Sequence, residues 1–226
     1  MTQESLPYVE VNPSGEHKAT VVWLHGLGDS GNGFAPIVPE LKLPDSAGIR
    51  FIFPHAPVIP VTINNGMPMR AWYDIKTLDF NSRADVSGVE SSAAMVTALI
   101  EQEIAKGIAS SQIVIAGFSQ GGVIALHIAT RSKHKFAGIM ALSTYMCEAD
   151  KLTENKSDVN TSTPILMCHG QQDEVVPLFL GHAAFKSLES NNFNVAWREY
   201  SMQHNVCVPE INDISAWLTS VLNQPD

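Results

Sequence analysis

An α/β architecture, with a mostly parallel central sheet and helices on both faces, is predicted by three observations in this 226-residue sequence. Short β-branched apolar runs alternate with longer segments of helical periodicity. The runs in the middle of the chain are apolar on both faces and therefore need covering on both sides. One of them ends in a sharp Gly-x-Ser-x-Gly turn that leads directly into a helical pattern.

Strand-like runs lie at Thr20 to Leu24, Arg50 to Phe53, Gln112 to Ala116, Gly138 to Leu142, Ile165 to Cys168 and Val195 to Tyr200. The covering helices are predicted over Asp85 to Lys106, where Val89, Val96, Ile100 and Ile104 fall near helical spacing, then Gln120 to Ser132, Leu178 to Leu188 and Pro209 to Leu222. Pro36 and Pro39 keep any helix after Gly33 short. Pro57 to Phe80 reads as too irregular for a standard crossover and as a builder of the rim of a site. With no repeat, low-complexity tract or long linker, residues 1–226 are expected to form a single domain.

Ser119 stands at the apex of Gly117-Phe-Ser-Gln-Gly121. A serine in such a turn is forced into a strained backbone conformation, and only glycine, lacking a Cβ, fits at 117 and 121 against the neighbouring strand and helix. Its hydroxyl then projects above the sheet at the start of a helix, where free N–H groups and the helix dipole favour developing negative charge. The flanking strand and helix distinguish this nucleophile elbow from a tight turn that happens to hold a small polar residue.

Composition narrows the partners. A net charge of −9 without a Lys/Arg run argues against nucleic acid and against electrostatic attachment to anionic lipid. The N-terminus lacks basic and apolar targeting regions, and no stretch is long enough to span a bilayer, so the expected location is cytoplasmic. Cys147, Cys168 and Cys207 are odd in number and lack metal-ligand spacing, which predicts buried or partly buried free thiols and no metal site. Cys207 is near enough to His204 to be oxidation-sensitive, although a small packing residue is the simpler description.

A nucleophilic serine needs a base, and open α/β sheets gather reactive groups beyond the carboxyl ends of their strands. His204 follows the run Val195 to Tyr200 in the loop Ser201-Met-Gln-His-Asn and meets that requirement best. His127 and His182 fall inside predicted helices, His55 lies in Phe-Pro-His-Ala-Pro, and His169 reads as a structural residue before Gly170. A carboxylate that holds the imidazole in one tautomer is supplied by Asp173, in the turn after Pro164 to Cys168. Glu174 is adjacent and spacing alone does not separate the two; the shorter side chain and turn position favour Asp173, with Glu174 a solvated charge.

Acyl transfer also requires donors for the carbonyl oxygen. The N–H of Gln120 is one. The glycines of His25-Gly-Leu-Gly-Asp-Ser-Gly allow the N–H of Leu27 to be the other, against the competing description of a plain glycine-rich turn. A phosphate loop is disfavoured because no Gly-Lys-Ser/Thr follows. Asp29 reads equally as a brace for this loop or as a surface turn residue.

The segments Leu24-His-Gly-Leu-Gly-Asp, Arg50-Phe-Ile-Phe-Pro-His-Ala, Pro60-Val-Thr-Ile-Asn, Arg70-Ala-Trp-Tyr-Asp-Ile, Ala116-Gly-Phe-Ser-Gln-Gly-Gly, Met140-Ala-Leu-Ser-Thr and Cys168-His-Gly resemble, in order and over nearly the whole chain, the acyl-protein thioesterase and small carboxylesterase branch of the α/β-hydrolases. The resemblance implies a serine hydrolase without metal or organic cofactor, with Ser119, Asp173 and His204 as the triad and Leu27 and Gln120 as oxyanion donors. It implies acyl ester or thioester substrates, among them S-acylated proteins or lysophospholipids, and it allows a weak homodimer. A lysophospholipase-like lipase or small-ester carboxylesterase is the second reading, and a non-catalytic ligand-binding relative is the third.

Two segments depart from the family pattern. Similar proteins commonly carry Gly-Met-x-His-Ser where this chain has Ser201-Met-Gln-His-Asn205, so the support of the imidazole is expected to differ. Cys147 to Thr163 is polar where palmitoyl-cleaving relatives are often apolar, which argues against a preference for very long chains. The acyl wall is expected from Pro57 to Tyr73, with Met67, Met69 and Trp72 as substrate-binding residues, although Trp72 reads equally well as core.

Overall fold

The computed structural model describes residues 6–77 and 84–222. Its construction is clearest in β2 (Ala19–Leu24), whose six residues are all buried. Alternation sends Ala19, Val21 and Trp23 into one apolar layer and Val22 and Leu24 into the opposite one. Each fully buried aliphatic side chain of this kind contributes roughly 1.5–3 kcal/mol.

Before β2 comes β1 (Tyr8–Val11), and after it two single-turn helices, α1 (Gly31–Phe34) and α2 (Ile37–Glu40). Then follow β3 (Ile49–Pro54), β4 (Val58–Val61), β5 (Met67–Arg70), α3 (Val86–Ala105), β6 (Ile113–Phe118), α4 (Gln120–Arg131), β7 (Gly138–Leu142), α5 (Leu152–Asn155), β8 (Ile165–Gly170), α6 (Leu178–Ser190), β9 (Val195–Tyr200) and α7 (Val208–Leu222). The main sheet runs β1-β3-β2-β6-β7-β8-β9. Only β1 is antiparallel to its neighbour. Helices α3, α4 and α6 cover one face through residues such as Val96, Val123 and Leu188, while α1, α2 and α7 cover the other through Phe34, Ile37 and Leu218.

The topology positions the site. Strand β3 pairs with one edge of β2 and β6 with the other, so the loops leaving β2 and β6 diverge at a switch point and open a crevice beyond the carboxyl ends of the strands.

The six predicted strands and four predicted helices are present within a few residues of their expected ends. Strand β1 is an addition, and the irregular stretch Pro57 to Phe80 requires correction. Its last three residues lie outside the described residues, but β4 and β5 pair as a regular antiparallel ribbon, joined by a turn in which Asn65 and Gly66 take φ of 56° and 71°. Pro60 lies opposite Pro68. Both strands of a two-stranded ribbon have an outward edge, where a proline's missing N–H breaks no ladder bond.

Candidate active site

Strand β6 ends at Phe118 and α4 begins at Gln120, leaving Ser119 as the single residue of the turn, with φ 54° and ψ −118°. Holding a non-glycine residue there costs on the order of 1–3 kcal/mol, so the surroundings must enforce it. They do so through the backbone: Ser119 N–H donates to Leu142 O at 2.9 Å, and Ser119 O accepts from Gly122 N at 3.0 Å and from Thr144 Oγ1 at 2.6 Å. A Cβ on Gly117 would lie 2.2 Å from Gly121 O, and one on Gly121 would lie 2.3 Å from Leu24 O. Glycine is therefore required at both positions by contact with backbone, which has little room to yield.

Asp173 and His204 are brought together by the turns after β8 and β9. His204 Nδ1 donates to Asp173 Oδ2 at 2.6 Å, while Asp173 Oδ1 accepts from Val175 N at 2.9 Å and Val176 N at 2.8 Å. Burial opposes the charge on Asp173, but the His204 bond and the two backbone donors outweigh it, holding the carboxyl below its ordinary value. An ionised carboxylate only accepts, so Nδ1 carries the proton and Nε2 presents the lone pair. The His204 ring centroid lies 4.7 Å from that of Phe118, which sets the imidazole beside the elbow. A cleft of about 480 Å³ opens here, lined by Gln172, Glu174, Val175, Gln203, His204 and Asn205. Glu174 is exposed, as a solvated charge would be.

The glycine loop after β2 is tied down on several sides. Gly28 N–H donates to Arg70 O at 2.8 Å, Trp72 Nε1 to His25 O at 2.8 Å, and Ala56 N to His25 Nε2 at 3.0 Å. The side chain of Gln120 joins this network to α4, with Oε1 accepting from Trp72 N at 3.0 Å and Nε2 donating to Tyr73 O at 2.8 Å. Among the described residues, the N–H groups of Leu27 and Gln120 are bound to no protein acceptor. Asp29 braces the loop by accepting from Ser30 N at 2.7 Å.

The expected acyl wall is rearranged. Trp72 is 2 % exposed, with its indole in the core and its Nε1 engaged by His25, so it braces the site. Met67 is 62 % exposed on the ribbon. Met69 lies beside Gly28 of the glycine loop, its Sδ 3.9 Å from where a Cβ on Gly28 would stand. A cavity of about 890 Å³ lies elsewhere, between the start of α3, the segment after Thr144 and α6. Tyr145, Met146, Cys147, Leu180 and Ala184 form its apolar wall, and Lys76 and Asp85, paired at 2.8 Å, also line it. None of Met67, Met69 and Trp72 lines it.

Thr144, His25 and the Gln120 side chain escaped the sequence reading, since no spacing marks them; only the Leu24-His-Gly run hinted at His25. His169 is structural, donating from Nε2 to Val176 O at 2.8 Å and stacking on Trp197. Burial depresses His127 to about 4, and His182 pairs with Glu199 at 2.8 Å. Cys147 and Cys168 are buried and Cys207 half-buried, all as free thiols, with burial pushing Cys147 up to about 11. Among the described residues no three His, Cys, Asp or Glu side chains converge as metal ligands, and no helix is long and apolar enough to cross a membrane.

A serine elbow at the switch point of a parallel sheet, with an aspartate-bound histidine beside it, defines the α/β-hydrolase class. Residues 7–222 match the phospholipase/carboxylesterase family model. The chain is 41 % identical over 215 residues to acyl-protein thioesterase 1 of Neurospora crassa, covering 91 % of this chain and 88 % of that protein. It is 42 % identical over 183 residues to the Schizosaccharomyces pombe protein of the same name, covering 81 % of each. Zea mays acyl-protein thioesterase 2 superimposes with a TM-score of 0.87 at 32 % identity, covering 96 % of this chain and 99 % of that one. The chain belongs to the phospholipase/carboxylesterase family and is a serine hydrolase of acyl esters or thioesters.

Proposed function

We propose that this chain, as one α/β-hydrolase domain, removes acyl groups through an acyl-enzyme on Ser119, and that S-acylated protein is among its substrates. The observation that carries the reading is the 2.6 Å bond from His204 to an ionised Asp173, set beside a strained serine at a helix N-terminus. In this scheme His204 Nε2 takes the Ser119 proton as Oγ attacks the acyl carbonyl, and Asp173 stabilises the resulting imidazolium without accepting its proton. The N–H groups of Leu27 and Gln120 hold the oxyanion. His204 then protonates the departing thiol or alcohol, and water repeats the sequence to release the acid. Each oxyanion donor is worth about 10² to 10³ in turnover.

The acyl chain is assigned to the cavity walled by Tyr145 and Leu180, because that wall begins one residue after Thr144, which bonds the Ser119 carbonyl. Met69 is retained as a contact beside the oxyanion loop. A cytoplasmic location and weak self-association belong to the same proposal.

A fluorophosphonate probe should label Ser119 alone, and rates on an acyl thioester peptide, an acyl ester and a lysophospholipid should rank in that order. A folded protein that the probe leaves untouched would reduce the chain to a ligand-binding relative; a lysophospholipid preference would replace the protein substrate by a lipid.

A further inference from the structure

Glu210 lies in the first turn of α7, six residues beyond His204, and is 0 % exposed. Neither carboxyl oxygen has a hydrogen-bond partner of ordinary geometry. A carboxylate so placed needs a cation or a full set of donors, and what faces this one is weak, the Cys207 backbone N–H and the Cys168 thiol. Cys168 faces it from β8, Asp213 from its own helix and Cys207 from the preceding loop. Tyr200 of β9 closes the group, with its hydroxyl 3.8 Å from Cys168 Sγ and donating to Asp213 Oδ2 at 2.8 Å. Arg198 stands 3.6 Å from Asp213 and is half exposed.

The position has a mechanical meaning. Ile211 N donates to Cys207 O at 3.0 Å, which makes Cys207 the residue that opens the helix and Glu210 the third residue after it, where a Glu side chain reaches back toward the helix-opening N–H. The front of the His204 loop is fixed by backbone: Gln172 N donates to Met202 O at 3.0 Å, and a Cβ on Gly170 would lie 2.4 Å from Gln203 O. At its rear the loop runs into α7, which begins at Val208.

We propose that Glu210 is a positioning residue that works as an uncharged carboxyl, seating the start of α7 against β8 and thereby holding His204 toward Ser119. The proposal rests on the reading of His204 as the base. Burial pushes the Glu210 carboxyl up to about 8; Asp213 pushes the same way, while the Cys207 backbone and the Cys168 thiol oppose it. The folded chain thus retains a proton that the unfolded chain loses near 4.5. Its contribution to stability is complete below that value and is lost as pH rises toward about 8.

The test pairs E210Q, which keeps shape and neutrality, with E210L. The expected kcat falls several-fold between about pH 7.5 and about pH 9.5 in the unmutated protein, and E210Q abolishes that fall. E210L lowers kcat roughly tenfold at neutral pH with little change in KM, because the base is displaced while the acyl cavity is intact. From about pH 6 to about pH 9 the melting temperature should drop at least roughly 5 °C further in the unmutated protein than in E210Q. Difference infrared spectra of the unmutated protein over the same interval should lose one protonated-carboxyl band, a measurement that needs no variant to fold. Identical alkaline limbs in the unmutated protein and E210Q, or no such band, would overturn the proposal. Failure of the fluorophosphonate to label Ser119 would instead overturn the functional reading, leaving the melting and infrared results to report on the carboxyl itself.

Discussion

The serine side and the histidine side of the site are held by different forces. Ser119 is fixed by backbone: its own N–H and C=O are bonded, and Gly117 and Gly121 are pressed against main-chain atoms that do not move aside. His204 is fixed by side chain, through one 2.6 Å bond to a carboxylate that is itself held by two N–H groups. Backbone contact dictates residue identity, whereas a side-chain bond can be supplied by more than one residue type from more than one place. The first kind of constraint leaves a spelled motif in the sequence, and the second leaves only a position after a strand.

The contrast accounts for what was legible. The elbow, the alternating elements and the choice of Asp173 over Glu174 as the buried carboxylate could be argued from the chain alone, because strand burial and glycine geometry restrict the residues allowed. Strand β1 was missed because four residues on the edge of the sheet carry little pattern, and β4 and β5 because Pro60 and Pro68 argue against strands unless both edges are open. The large cavity proposed for the acyl chain was missed for a different reason. Its walls come from segments near residues 76, 85, 146 and 183, and no local window contains them together. Trp72 is the converse case, an apolar residue near the site whose buried indole bonds His25, in keeping with the core role the sequence left open.

The contrast is broken most severely at the two residues proposed to react. Ser119→Ala or His204→Ala should leave a folded protein and cut kcat by about 10⁶, since members of a cooperative triad are lost as a unit. Circular dichroism and turnover on one ester substrate measure both parts of that statement. Retention of activity in Ser119→Ala would end the acyl-enzyme assignment.

Asp173→Asn tests the side-chain constraint directly. The amide keeps a similar shape but presents the wrong group to Nδ1, and turnover should fall about 10⁴ as the tautomer is lost. Glu174→Gln, altering an exposed charge, should stay within about twofold. A reversed ranking in steady-state kinetics would move the orienting role to Glu174.

Gln120→Ala sharpens the comparison, because its side chain is where the backbone-held half reaches the glycine loop. Removing it strands the buried Trp72 N–H, at about 1–3 kcal/mol, takes a donor from the Tyr73 carbonyl, and lets the first turn of α4 drift from Leu27. Urea denaturation should report a loss in that range, accompanied by a roughly tenfold lower kcat. A stability loss with unchanged turnover would make the bridge purely structural.

The smallest effect, and the one that locates the acyl chain, comes from a homologous ester series. Each methylene newly buried is worth about 0.8 kcal/mol, or roughly fourfold in kcat/KM when that energy is realised in the transition state. Rates should therefore climb from acetyl through medium chains and level where the cavity ends. Leu180→Asp, placing a charge on the apolar wall, should flatten the climb while lowering acetyl hydrolysis by only about twofold. Met67→Asp should do much less, since that side chain already faces water and its substitution changes little that a ligand touches. If Met67→Asp flattens the series and Leu180→Asp does not, the ribbon of β4 and β5 carries the acyl chain after all, and the large cavity serves something other than the substrate.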